Sequence, residues 1–342
     1  MKQCRERNVQ YVLMLLRHAV FAIVTMVTTG IAVSPAVGAE AYPQRHITLF
    51  VASATGGPAD AAARIITGPM SAFLGQQIII ENAPGGGGMI GALRVARANA
   101  DGYTLLLHQT GLTIAPALNP KLGFDVAKDF APVGLVNTSF SVLVGRKSIP
   151  ANDFKELIAW MKGPGHPVRF AHPGVGTLGH LATVLFAKAL NTDVNAIPYK
   201  GIGPAMADII GEHVDLVLAG SISAAPLVNS GKVKAFANAA DKRNPLLPNI
   251  PAVTEVGYPE IAIPFWHAMY APAATPRPIL ERLNEALCRA LADPQVVKAY
   301  KESGTEAFPP DQWSIEAATA FVHRELDRWE KVVRENNIQV EQ

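Results

Sequence analysis

Residues 53–64 read SATGGPADAAAR. Two glycines, a proline and an aspartate separate an apolar run (ITLFVA, 47–52) from an alanine-rich run with a helical pattern. A strand, a glycine turn and the first turn of a helix can grip an anion. The first N–H groups of the helix lack internal partners and lie at the positive end of its dipole. Pro58 fits the first helical turn, where a missing N–H costs nothing. Gly56 and Gly57 let the backbone come close to a ligand. The absence of GK[ST] excludes a nucleotide P-loop. Asp60 has two readings. It stabilises the first turn of the helix, or it contacts a ligand through water or through the turn.

A second loop repeats the arrangement. HPGVGTLGHL (172–181) runs from strand end through PGVG and Thr177 into a helix. Gly176 and Thr177 offer N–H groups and a hydroxyl, and His180 lines the site or simply starts the helix. IPYKG (197–201) brings Tyr199 and Lys200 to a third strand end, with Lys200 either a counter-ion or a solvated side chain. GGGMIG (86–91) matches G-x-G-x-x-G through Gly86, Gly88 and Gly91. However, Asn82-Ala83-Pro84 intervenes after the strand, and Leu106 stands where a ribose-binding acid is required. The expectation there is a backbone bend beside a cleft. No G-x-S-x-G, H-E-x-x-H or C-x-x-C occurs, and the histidines from His46 to His323 are never spaced as a metal pair. A non-enzymatic protein without metal or cofactor is the expectation.

These loops need strands and helices to hold them. Strand patterns at 46–52, 76–82, 103–109, 139–146, 168–173, 195–200, 214–220 and 234–240 are interleaved with helical patterns near 59–74, 88–99, 153–162, 180–190, 204–212 and 222–231. Such alternation predicts an α/β protein with mainly parallel sheets. No common period emerges over more than 200 residues, which points to two sheets in two lobes. A helical tail follows from 276, its last helix near 311–335 with an apolar row at Ile315, Ala318, Phe321, Val322 and Trp329. Chain crossings near 140 and 263 would return this tail to the first lobe. Ligands of open α/β sheets sit beyond the carboxyl ends of the strands, which directs the glycine loops to one cleft.

The 342 residues are 49% hydrophobic and 17% charged, with a formal net charge of +2. Lys2, Arg5, Arg7 and Arg17 against Glu6 give the first 39 residues +3, so the remainder carries −1. A near-neutral body has no electrostatic footprint for nucleic acid. After Arg17-His18, residues 19–39 are uncharged and end Val37-Gly38-Ala39, small residues suited to signal peptidase. Cleavage after Ala39, with 1–39 as a signal peptide, is the expectation; an uncleaved anchor is the alternative. The only other cysteine besides Cys4 is Cys288, in the apolar repeat LERLNEALCRAL, read as a half-buried structural thiol.

Nine stretches in register carry a resemblance over 42–335: YPQRHITLFVASATGGPADAAAR, IIIENAPGGGGMIGA, DGYTLLL, KDFAPVGLV, GVGTLGHLA, IPYKGIGPAMADIIGEHVDL, GKVKAFA, LPNIPAVTEVGYP and APAATPRPILERLNEAL. The chain resembles the periplasmic receptors of tripartite tricarboxylate transporters, the Bug-type proteins. The resemblance implies a two-lobed Venus-flytrap (type II periplasmic-binding-protein) fold with two mixed, mainly parallel sheets. Lobe 1 would comprise 40–140 and 264–342, and lobe 2 141–263. It implies a monomer that captures a small carboxylate and delivers it to membrane permease subunits. The alternatives are a ligand sensor for a membrane signalling partner, or a periplasmic enzyme on the same scaffold. Carried over residue by residue, the ligand contacts are Thr55, Gly56, Gly57 and Asp60 on one side, and Gly176, Thr177 and His180 on the other. Gln109, Thr110, Gly111, Tyr199 and the cleft tryptophan Trp266 join them. This chain departs from the family pattern at Leu178, Leu218-Ala219 and His267. A ligand less polar at its far end than a plain amino acid follows as the expectation.

Overall fold

Short apolar runs recur along the chain from residue 47 to 238, and the β-rich ones become strands separated by helices. The computed structural model describes residues 42–335 except 120, 166, 175 and 176, together with Ile338. The expected signal segment 1–39 and the expected ligand residue Gly176 lie outside the described residues. In chain order the first elements are β1 (Ile47–Val51), α1 (Pro58–Leu74), β2 (Ile78–Asn82), a 3-10 turn (Gly86–Gly88), α2 (Met89–Ala96), β3 (Thr104–Gln109), α3 (Gly111–Leu118), α4 (Val126–Asp129) and β4 (Phe130–Ser139). There follow β5 (Ser141–Arg146), α5 (Phe154–Met161), β6 (Val168–His172), α6 (Leu178–Leu190), β7 (Val194–Pro198), α7 (Ile202–Ile210), β8 (Leu216–Gly220), α8 (Ser221–Asn229) and β9 (Val233–Asn238). After a 3-10 turn (Pro259–Ile261), the chain closes with β10 (Phe265–Pro272), α9 (Arg277–Ala292), α10 (Pro294–Glu302), β11 (Thr305–Ala307) and α11 (Ile315–Glu335).

The strands form two sheets, ordered β11-β4-β10-β3-β1-β2 and β7-β6-β8-β5-β9. Parallel pairing joins β1 to β2 and β3, and β6 to β7 and β8. The other five pairings are antiparallel and all involve β4, β5 or β10. The sheets are therefore mixed in near-equal measure, with less parallel pairing than the alternation suggests. β4 and β10 lie outside the strand–helix rhythm because they are the strands that carry the chain between the sheets. Pro132 and Gly134 obscure β4 as a strand. Gly134 also makes room: a Cβ there would stand 2.8 Å from Leu287 Cδ2. Two register shifts in the β4–β10 pairing absorb the irregularity.

One residue, Phe140, separates β4 from β5, and its carbonyl accepts from the Ser221 N–H at 2.8 Å. The return crossing is fixed beside it: Ala239 N–H donates to Ser141 O and Ile263 N–H to Ala239 O. Both sheets belong to one unit that begins at Pro43. The first sheet buries Phe50, Leu106, Leu135, Trp266 and Tyr270 against Ala318 and Val322 of α11. Farther along α11, Trp329 and Val333 join a core with Leu143, Phe154, Leu181 and Phe186 around the second sheet. The tail helix thus packs on both sheets. At the amino end of β8, buried Asp215 accepts from Arg146 Nε at 2.7 Å and Arg169 Nη2 at 2.8 Å. Burial alone would raise its carboxyl, but these two guanidinium groups hold it at about 2.

Candidate functional site

The first glycine loop begins where β1 ends. Gly56 has φ +80°, a left-handed conformation that suits glycine. Its N–H donates to Asp60 Oδ2 at 2.9 Å. Gly57 caps α1 in extended geometry, and Pro58 is the first helical residue. The N–H groups of Ala59 and Asp60 are in the first turn, ahead of the first helical bond from Ala61 N–H to Gly57 O. Asp60 itself is buried, and its carboxylate is filled from inside the protein. Oδ2 accepts from Gly56 N and Arg64 Nε (2.9 Å), and Oδ1 from Arg64 Nη2 (3.1 Å) and Asn82 Nδ2 (3.0 Å). Four donors match the capacity of a carboxylate. The Arg64 hydrogen bonds, aided by Gly56 and Asn82, hold its pKa below the usual range. Asn82 also donates to Ser53 O at 3.1 Å and accepts from Thr55 Oγ1 at 3.1 Å. Of the two readings of Asp60, the geometry matches the one that stabilises the turn. Arg64 neutralises the charge that would repel an anion.

The second loop begins where β6 ends. Thr177 caps α6: its Oγ1 accepts from His180 N–H at 3.3 Å and donates to Gly174 O at 2.6 Å. The N–H groups of Leu178 and Gly179 precede the first helical bond, from Leu181 to Thr177 O. A Cβ on Gly179 would stand 2.4 Å from Pro173 Cδ, so glycine here lets the loop fold onto its helix. His180 stacks on His172, ring centroids 4.6 Å apart. Burial lowers the pKa of both, and His180 lowers that of His172 further. The third loop is stitched to the second by Tyr199 N–H to His172 O and Gly201 N–H to Pro173 O. The Tyr199 hydroxyl donates to Asp208 Oδ2 at 2.6 Å. Burial, then that carboxylate, pushes its pKa up to about 12.

At the end of β3, half-buried Gln109 leads into Thr110, which is fully buried and ties the strand to the return crossing. Its N–H donates to Trp266 O, its Oγ1 donates to Pro264 O, and Trp266 N–H donates back to Oγ1 at 3.0 Å. Gly111 then opens α3. Trp266 departs from the cleft role expected of it. Its indole is fully buried, edge-on to Phe321 at 5.1 Å, with Nε1 donating to Glu325 Oε2. On β10, Trp266 shares a face with Ala268 and Tyr270, the face that α11 covers. The run GGGG (85–88) is the bend expected of it, with all four φ positive. It also approaches closely: a Cβ on Gly88 would stand 2.6 Å from His108 Nε2 and 2.7 Å from Ala52 O. Ala219, one of the positions where the chain departs from the family pattern, is fully buried in β8 and paired with Val142.

Three contributors went unread in the sequence: Arg64, Asn82 and His172. Arg64 had a signal, the i,i+4 spacing from Asp60. Asn82 and His172 are polar residues closing apolar strands, a pattern that only the tertiary fold interprets. Among the described residues, no group of three His, Cys, Asp or Glu is placed to hold a metal.

A family model described as tripartite tricarboxylate transporter family receptor matches residues 62–338. The chain belongs to this receptor family. Protein BugT of Bordetella pertussis is 34% identical over 312 residues, covering 90% of this chain and 94% of that protein. Among solved structures, the periplasmic binding protein BugD is 35% identical with a TM-score of 0.79, over 87% of this chain and 99% of that one. MatC from Rhodopseudomonas palustris, with bound malate, is 36% identical with a TM-score of 0.77, over 85% and 100%. Rpa4515 of R. palustris, with adipate, is 30% identical with a TM-score of 0.79, over 87% and 99%. The chain has their fold, that of periplasmic binding proteins.

Proposed function

We propose that the protein is a periplasmic solute-binding receptor without a catalytic cycle. It captures a small carboxylate between lobe 1 (40–140 and 264–342) and lobe 2 (141–263) and presents it, as a monomer, to the permease subunits of a tripartite transporter. The observation that carries this reading is the pair of glycine loops opening α1 and α6. Each leaves first-turn N–H groups ahead of the helical ladder, at a strand's carboxyl end. The neutralised Asp60 at the base of the first loop supports it, as do relatives solved with malate and adipate. Burying a carboxylate is costly unless several aligned donors replace its water, and main-chain N–H groups supply them.

In this reading the contacts come from Thr55, Gly56, Gly57 and Asp60, from Gly176, Thr177 and His180, and from Gln109, Gly111 and Tyr199; the first loop's donors are the N–H groups of Ala59 and Asp60, because the Gly56 N–H is bonded to the Asp60 carboxylate and the Gly57 N–H to Ala54 O. Thr110 and Trp266 shape the site from behind. The departures from the family pattern at Leu178 and Ala219, both buried apolar residues, favour an aromatic or short aliphatic acid over an amino acid. Thermal shift against a panel of malate, adipate, benzoate, aspartate and glutamate tests this. Stabilisation by the last two alone would sink the specificity claim. Gly57→Val combined with Thr177→Val abolishes binding while circular dichroism stays native; retained affinity refutes the site. Export is checked by finding the protein in the periplasmic fraction with Glu40 at its amino terminus.

A further inference from the structure

The rings of His172 and His180 meet at 4.6 Å with an interplanar tilt of 33°. His172, the last residue of β6, is 2% exposed, and its Nδ1 is buried without a hydrogen-bond partner. His180, in the first turn of α6, is half-buried, two residues beyond the open N–H of Leu178. Two neutral imidazoles stack without penalty. Two imidazolium ions at this separation repel, so the pair accommodates one proton. A protonated ring is favoured over a neutral aromatic face. The more exposed His180 is therefore the ring that takes the proton, and His172 supplies the face.

The other ionisable groups on elements packed against α6 are few. β6 carries Arg169, tied to Asp215. β7 and β8 carry none. After β7, Tyr199 is bonded to Asp208, and Lys200 is exposed. The 3-10 turn at Pro259–Ile261 carries exposed Glu260, and α6 carries Lys188 in its last turn.

We propose that ligand binding takes up one proton on the His172–His180 pair, so that the protein holds its ligand more tightly as the medium acidifies. This rests on the reading of the site as a carboxylate clamp. A bound carboxylate at the amino end of α6 favours an imidazolium in the same turn, and by linkage the imidazolium favours the carboxylate equally. In the free protein burial holds both rings below the ordinary histidine range. Affinity is therefore flat above the bound-state pKa, rises as pH falls through it, and levels off below the free-state value.

Calorimetric titration of the mature chain with the panel acid of largest thermal shift tests this at pH 8, 7 and 6, where that acid stays ionised. Two buffers of different ionisation enthalpy report protons. The expected result is net proton uptake and roughly a three- to tenfold gain in affinity from pH 8 to pH 6. His180→Gln removes the uptake and flattens the pH slope. His172→Phe keeps a stacked face and keeps the slope. NMR titration of the imidazole C–H signals in the unmodified protein adds a direct reading, a His180 pKa that rises on ligand addition. Binding without proton uptake, or a slope that survives His180→Gln, overturns the proposal alone. Failure of every panel acid to bind at any pH overturns the carboxylate reading and this proposal with it.

Discussion

Replacing Asp60 separates a residue that fixes a turn from one that touches ligand. In Asp60→Asn the amide oxygen keeps the Gly56 N–H, but the amide nitrogen now faces a donor, Asn82 Nδ2 or Arg64. Arg64 is 56% exposed at its side chain and returns to water at little cost. The half-buried Asn82 N–H loses its partner too, and a partly buried unsatisfied donor costs about 1–2 kcal/mol. With the weakened charge-assisted bonds, the total comes to roughly 2–3 kcal/mol, a fall of about 3–5 °C in Tm for a chain of this size. Because the folded carboxyl pKa is depressed, its contribution is present above the unfolded value near 3.8 and is lost as pH falls through the folded one. Asp60→Asn should therefore unfold at lower temperature at pH 7, with the difference from the parent shrinking below about pH 4. A double-mutant cycle with Asn82→Ala sharpens the test, since partners in one network couple by about 1 kcal/mol or more. Ligand affinity, read by calorimetry, falls only as far as loop ordering requires, about tenfold at most. An unchanged Tm with binding lost more than a hundredfold would refute the reasoning and make Asp60 a ligand contact.

Trp266→Phe removes the Nε1 bond to buried Glu325 and costs about 1–2 kcal/mol in chemical denaturation. It leaves affinity within twofold, and a larger loss of binding would return the indole to the cleft. Asp215→Asn leaves Arg146 and Arg169 around a neutral amide and costs about 3–5 kcal/mol by urea denaturation at pH 7. In the parent protein the pH-linked part of the Asp215 contribution, about 2 kcal/mol, is complete above pH 4 and fades as pH falls toward 2, so the gap between the two proteins narrows by that amount in acid.

Much of the frame was legible because local chemistry and tertiary fold agree. Pro58 at a first helical position, Gly75 as a left-handed cap and an apolar β1 each specify their element without help. The helix Ile315–Glu335 was readable for the same reason, from apolar residues at helical spacing. What escaped were the parts whose meaning is non-local. β4 and β10 hold a proline or a register shift, and their place depends on neighbours far away in sequence. The resemblance alone puts Trp266 in the cleft, position by position. Which face of a strand a side chain occupies is a matter of register, and the face of Trp266 belongs to α11. Tyr199 escaped in part, since its partner Asp208 lies on the helix that follows it.

In the proposed clamp, the placement of charge lets main-chain donors hold a carboxylate without a lysine or arginine contact. A guanidinium in the clamp would hold any carboxylate tightly, and release to a partner would then be slow. Here the arginine nearest the first loop is bonded to Asp60, and the pair together orders the backbone around Gly56 and Gly57. The structural pair is neutral, so what remains to meet the ligand is partial charge: N–H groups of first helical turns, fixed by the fold and free of side-chain entropy. Such donors come fully aligned only when both loops converge on one ligand. With the ligand between the lobes, as proposed, it supplies the anion that the two helix ends share.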